Sequence, residues 1–246
     1  GEIDVEQPDE TFYRTYVGGS AMGMYYLLKH TPAGADPLGP ENTLSLMIGP
    51  VTGAPISGQS RVMATAKSPL SGLAGESAGG GFWPAELKFA GFDGIVIHGA
   101  AASPVYLWIQ DGEAELRDAA HLWGKFTAEV EDTIREEHAE PRAHVLQCGP
   151  AAEKGVLFGA IINNANRANG RSGMGTVMAA KNLKAIAVRG TGEIPVADKE
   201  RLRELNQAMR TAMESGPSAE MMAGFGEYGT GVGTGASALS GDSPVK

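Results

Sequence analysis

Cysteine is almost absent from this chain: Cys148 is the only one in 246 residues. A single thiol permits no intrachain disulfide and no multi-cysteine metal or iron–sulfur site. Because it ends the apolar run HVLQC, Cys148 is expected to be a buried strand residue rather than a nucleophile. Basic charge is also short. With 29 acidic against 20 basic residues the net charge is −9, which argues against a nucleic-acid-binding face, where clustered Lys and Arg are needed. No apolar run approaches the roughly 18 residues of a membrane-spanning helix, and no signal-peptide pattern opens the chain. The expectation is therefore a cytoplasmic protein with no nucleic-acid or membrane partner. Also missing are a Walker A lysine loop, a Gly-x-Ser-x-Gly elbow, a His-Glu-x-x-His helix and any paired catalytic carboxylates.

Glycine is what the chain has in excess: 35 residues, against a usual share of roughly 7%. The glycines gather in discrete loops at strand ends, over residues 49–61, 72–81 and 163–175, and two of these loops carry arginines. The segment that organises the rest is 161–188, IINNANRANGRSGMGTVMAAKNLKAIAV. It sets Arg167 and Arg171 among small residues just before an apolar helix-to-strand run. Glycine lets backbone N–H groups approach a ligand closely, and the guanidinium fork matches phosphate oxygens. The combination reads as a cradle for a phosphorylated cofactor. Arg61, at the mouth of a strand over residues 62–66, is placed either to meet a ligand or to be solvated. The chain thus looks built to hold a large anionic cofactor and lacks an obvious reactive side chain of its own.

Taken in order, residues 9–32 hold a helix, a Gly18-Gly19-Ser20 turn and a second helix over 21–30. That turn either punctuates the helices or offers free N–H groups to phosphate. Strands are expected over 44–48, 62–66, 92–98 (buried), 105–109, 114–116, 144–148, 156–162 and 183–189. Asp111-Gly112 between alternating apolar residues is a hairpin signal. Pro84 begins a helix that Gly91 caps, and Thr127 is expected to N-cap a helix over 127–138. His98, the only histidine read as near the glycine loops, is expected to be structural. The acids Glu129, Glu131, Asp132, Glu136 and Glu137 read as a solvated helix face. After Gly190 the composition shifts to a charged helix over 199–214, a Met-rich helix over 218–223, and a tail of Gly, Ser, Thr and Ala over 224–241. The GVGTG string there follows no strand and is weak as a nucleotide signature. Both ends read as internal: a half-hairpin over 1–5, and a loop over 241–246 that stops midway. The order, mostly strands with few helices between, excludes a doubly wound nucleotide fold.

The ordered strings ADPLGPEN, GPVTGAP, SGQSR, KSPLSG, GGGFWPAELKFAGFDGIVIHG, PVYLWI, ELRDAAHLWGK and NRANGRSGMGTVMAAKNLKAIAVRG resemble the N-terminal part of the aldehyde ferredoxin oxidoreductase family, in register from Gly1 to about Val196. The resemblance implies an α+β fold in which two packed, mostly antiparallel β-sheets with flanking helices form a pterin-supporting base over residues 1–196. A helical second domain would begin over 197–246. It further implies a tungsten, less often molybdenum, bis-pterin enzyme with bridging magnesium and a 4Fe–4S cluster. Such an enzyme oxidises aldehydes to carboxylic acids and hands two electrons to ferredoxin or another electron-transfer protein. A homodimer and an electron-transfer subunit complex are both compatible with it.

By position, Arg61, Ala78, Gly79, Gly80, Arg167, Ala168, Gly170 and Arg171 correspond to the family's cofactor contacts. Ala78 and Ala168 correspond to the residues whose carbonyl oxygens hold magnesium. Two departures stand out. Ala78 replaces a common asparagine, which keeps a carbonyl but loses a side-chain hydrogen bond. Ser20 replaces an arginine. The cluster cysteines and the later pterin-gripping segments belong beyond Lys246, so this stretch alone is not expected to hold a working metal centre. The same base domain would serve the catalytic subunit of a tungsten benzoyl-CoA reductase. It would also serve a non-catalytic cofactor-binding module, should the full-length gene lack those cysteines.

Overall fold

A computed structural model describes residues 1–243; the end of the loop expected over 241–246 lies outside the described residues. By Cα proximity the chain divides into two compact units. One is residues 1–54 with 58–195, and the other is residues 55–57 with 196–246.

The first unit opens with two helices, α1 (Glu10–Tyr16) and α2 (Gly19–His30). Asp9 starts α1, its carboxylate accepting the Phe12 N–H at 2.8 Å. Four strands make the first sheet: β1 (Leu44–Ile48), β2 (Val62–Lys67), β3 (Ala74–Gly79) and β4 (Gly94–Ile97). Their order is β3-β2-β1-β4, antiparallel throughout. Helix α3 (Trp83–Phe89) lies between β3 and β4 in sequence. Six strands make the second sheet: β5 (Val105–Gln110), β6 (Glu113–Asp118), β7 (His144–Cys148), β8 (Ile161–Asn163), β9 (Arg167–Asn169) and β10 (Leu183–Arg189). Its order is β6-β5-β10-β7-β8-β9, with β10 parallel to β5 and the other pairs antiparallel. Helices α4 (Thr127–Glu137), α5 (Pro150–Glu153) and α6 (Met174–Ala180) connect the later strands.

The two sheets share one apolar core. Leu44, Leu46, Val62 and Ala64 from the first sheet join Ile109, Leu146, Ile186 and Val188 from the second. Helix α6 lies inside this layer rather than flanking it. Met174 through Ala179 are all buried, and α6 touches strands of both sheets. Its one polar core group, the Thr176 hydroxyl, donates to Val156 O at 2.5 Å. Trp83 is buried in the same core, and its indole N–H donates to Ile186 O at 2.9 Å, tying α3 to the second sheet. The far face of that sheet carries Tyr106, Trp108 and Val145 against Val130 and Ile134 of α4. Cys148 is buried as expected, and burial pushes its thiol up to about 12.

Four local expectations need correction. Residues 156–160 are not strand: their backbone turns to serve α6 through Gly175 N–H to Gly159 O at 2.9 Å and the Thr176 contact, so the strand begins only at Ile161. The strand expected over 92–98 is the shorter β4, half-buried because it is an outer strand of its sheet. Thr127 is not the N-cap of α4. Phe126 holds that position, and its N–H is taken by the Glu129 carboxylate at 2.9 Å. Glu131 is not solvated either: it is buried and paired with Arg135 on the next turn.

The second unit is helical: α7 (Lys199–Ser215), α8 (Ala219–Tyr228), a 3₁₀ turn (Gly229–Gly233) and α9 (Thr234–Ser240). Asp198 caps α7 by accepting the Arg201 N–H at 2.8 Å. Helix α8 runs five residues past the Met-rich stretch, and the Gly/Ser/Thr/Ala tail forms short helices instead of coil. Among the described residues, α7, α8 and α9 bury no residue. Among the described residues no helix is long and apolar enough to cross a membrane.

Candidate functional site

The outer strand of one sheet lies against the outer strand of the other. Strands β3 and β9 are held together mainly by side-chain amides and hydroxyls. Asn169 Nδ2 donates to Ser77 O at 2.5 Å and to Val62 O at 3.2 Å. The Arg171 N–H reaches Ser77 Oγ at 3.1 Å, and Asn163 Nδ2 reaches Gly80 O at 2.8 Å. Asn164 Oδ1 accepts the Phe82 and Trp83 N–H groups at 2.8 and 3.3 Å. Three asparagines within seven residues thus stitch the β8–β9 hairpin to the glycine run that follows β3.

Above this seam is a concavity of about 630 Å³. It is bounded by the loop carrying Gln59, Ser60 and Arg61, by Ala78, Gly80 and Phe82, and by Arg167 with Ala168. The lining contains two arginines and no carboxylate, although the chain as a whole carries a net charge of −9. Among the described residues Arg61, Arg167 and Arg171 make no ion pair. The Gly80 and Gly81 carbonyls are already engaged, by Asn163 and by the Ser60 hydroxyl at 2.6 Å. Among the described residues no acceptor meets the Gly80 or Gly81 N–H. Unpaired guanidinium groups beside free peptide N–H groups are a donor set for an anionic, multiply charged oxygen ligand.

Five of the eight positions singled out in the sequence therefore share one concavity: Arg61, Ala78, Gly80, Arg167 and Ala168. Gly79 is buried behind it against the Asn169 side chain. Gly170 and Arg171 do not line it. Gly18 N-caps α2 against Ile48 and Gly49, and Ser20 lies in the first turn of that helix; neither lines the concavity. His98 packs on His30, with ring centroids 4.5 Å apart, and meets Thr43 Oγ1 at 3.2 Å. The histidine near a glycine loop is instead His144, which stacks beneath Phe82 and contacts Asn164. The sequence reading missed Asn163, Asn164, Asn169, Phe82 and His144. The density of asparagine in NNANRAN was the available signal, since asparagine amides bridge backbone groups that no ladder serves.

Two neighbouring glycines allow a discriminating test. A Cβ on Gly80 would meet Arg61 Nη1 at 2.5 Å, the tip of a flexible side chain. A Cβ on Gly81, at φ 108°, would run into the Asn163 amide. Gly80→Ala is expected to leave unfolding within about 0.5 kcal/mol of wild type while displacing the guanidinium and lowering ligand loading roughly tenfold. Gly81→Ala is expected to lower stability by about 1–3 kcal/mol. Chemical denaturation of both variants checks this, and equal stability losses would refute it.

A second concavity, about 920 Å³, runs along α7 from Arg203 to Gly216. It is the open flank of a single helix, with no converging groups.

A family profile described as "Aldehyde ferredoxin oxidoreductase, N-terminal domain" matches residues 1–190. The chain is 43% identical over 234 residues to a tungsten-containing aldehyde ferredoxin oxidoreductase of Pyrococcus furiosus, and 42% identical over 234 residues to that of Thermococcus kodakarensis. Each alignment covers 94% of this chain, but the chain spans only 38% of the length of either relative. Among solved structures it resembles the active site complex BamBC of benzoyl coenzyme A reductase in complex with 1,5-dienoyl-CoA. The TM-score is 0.83 at 36% identity, over 87% of this chain and 33% of that one.

Proposed function

The chain belongs to the aldehyde ferredoxin oxidoreductase family, and from that membership we propose that it is the cofactor-supporting part of a tungsten bis-pterin oxidoreductase. The reaction is oxidation of an aldehyde and water to a carboxylic acid, releasing two protons and two electrons, the electrons passing to ferredoxin or a similar protein in the cytoplasm. The bound tungsten pterin supplies the redox chemistry. This chain's residues bind and orient it. Arg61 and Arg167 would take phosphate oxygens of the cofactor, the Gly80 N–H would add a backbone donor, and the carbonyls of Ala78 and Ala168 would serve as magnesium ligands. Gly79, Gly170 and Arg171 act from behind or beside these contacts. The observation that carries the reading is the pair of unpaired arginines beside unused glycine amides in a carboxylate-free concavity. The tungsten chemistry would also draw on a 4Fe–4S cluster held by residues outside this chain.

The test is anaerobic purification of the natural full-length protein. Tungsten and pterin should co-purify, and aldehydes should drive reduction of ferredoxin. Protein free of both tungsten and pterin would refute the proposal. The likeness to the benzoyl coenzyme A reductase complex favours one second reading, in which electrons run toward an aromatic thioester. Benzoyl-CoA turnover with a reduced donor, in the absence of aldehyde oxidation, would select it.

A further inference from the structure

The best-braced part of the concavity is its Gly81–Phe82 corner, and the bracing ends on an ionisable group. Asn164 Oδ1 accepts both the Phe82 and the Trp83 N–H. Only the oxygen of an amide can accept two donors, so the orientation of the Asn164 side chain is determined. Its Nδ2 then faces His144 Nδ1, 2.6 Å away. An amide NH₂ can only donate, so His144 Nδ1 must be bare and the ring proton must sit on Nε2. The same imidazole lies under the Phe82 ring, centroids 5.7 Å apart and planes within 28°. Phe82 is nevertheless 68% exposed, with its ring at the edge of the concavity. A large aromatic ring backed by a second ring and anchored through its own N–H is a rigid surface suited to a flat conjugated ligand.

We infer that Asn164 and His144 are positioning residues that hold Phe82 as a fixed aromatic wall against the bound pterin, and that they do so only while His144 is neutral. The inference rests on the pterin reading above. The ionisable groups facing His144 are Glu86 from α3, Arg135 from α4 and Arg189 from β10; the β8–β9 hairpin contributes only the Asn164 amide. Burial disfavours the imidazolium, Arg135 and Arg189 add to that, and Glu86 opposes it. The net effect holds His144 below the usual histidine range. The ring is therefore neutral near pH 7. Below its pKa a second N–H would point at the Asn164 NH₂ group, the contact would become repulsive, and the Phe82 corner would loosen.

The test follows pterin and tungsten release from the natural full-length holoprotein from about pH 8 down to the acid limit of its folded state. Wild type should lose pterin several-fold faster at the acid end. In Asn164→Asp the carboxylate still accepts both N–H groups and pairs with the imidazolium, so the acid acceleration should vanish. His144→Asn supplies an acceptor that does not titrate and should also flatten the profile, which keeps the test decisive if one variant folds poorly. Phe82→Leu, which keeps apolar area but not the ring, should release pterin several-fold faster at every pH. Acid acceleration persisting unchanged in both pH variants overturns the inference, as does its absence from wild type or normal retention by Phe82→Leu. Wild-type protein purified without pterin overturns the cofactor reading as well, an outcome distinct from the others.

Discussion

Replacing both Arg61 and Arg167 with alanine in the full-length protein is expected to lower bound pterin and tungsten by roughly 100-fold or more while leaving the unfolding midpoint unchanged. Both side chains are exposed, and among the described residues neither is in an ion pair. Their removal breaks no interaction that holds the fold. Each hydrogen bond from a charged donor contributes on the order of 1.5–3 kcal/mol when its partner is ionic. One arginine therefore corresponds to about a tenfold effect or more, and the pair to the product when they act independently. Arg61→Lys should recover only part of the loss, because a point charge cannot match two oxygens at once. Metal and pterin analysis of the singles, the double and the lysine variant checks this. Unchanged metal content in both single variants would remove the central role given to these residues.

The second large effect concerns the fold beneath the site. The Lys184 side chain is fully buried in β10 and donates to Cys148 O at 3.1 Å, to Lys125 O at 3.2 Å and to the Glu153 carboxylate. Glu153 also takes the Gly124 N–H at 2.8 Å. This ion pair anchors the chain before α4, and α5 itself, to the second sheet. Glu153→Ala should cost about 3–5 kcal/mol, since it leaves an ammonium buried without its counter-charge. The double variant Lys184→Met/Glu153→Leu should recover most of that loss, because apolar side chains of similar volume carry no desolvation penalty. Denaturant unfolding of Lys184→Met, Glu153→Leu and the double gives the coupling directly. A double variant no more stable than Glu153→Ala, or a Glu153→Ala loss below about 1 kcal/mol, would show that the pair is not a unit.

These two regions differ in how far the sequence exposes them. Arg61, Gly80 and Arg167 could be singled out because their residue types imply their chemistry wherever they lie: a guanidinium binds anions, and glycine bares its peptide group. The mostly apolar strands β1, β7 and β10 could be bounded within a residue for a related reason. Burial on both faces favours a run that is largely apolar, interrupted here by the buried polar residues Ser45, Gln147 and Lys184. Residues 156–160 look equally apolar, yet they fold as turns, because their carbonyls are used by α6, an element contiguous only in space.

The order of residues carries the inventory: the arginines, the glycine loops, the strand-rich order and the family pattern. It takes the folded chain to set β3 and β9, about ninety residues apart, side by side and to bring five of the eight singled-out positions into one concavity. Folding also places His144 rather than His98 beside the glycine run, sets α6 between the sheets, and turns ordinary asparagines into the stitching of the seam. The physical reason is that an outer strand has unspent backbone groups and side chains of no fixed destination. Their partners are chosen by the packing of the shared core, which no local spacing encodes.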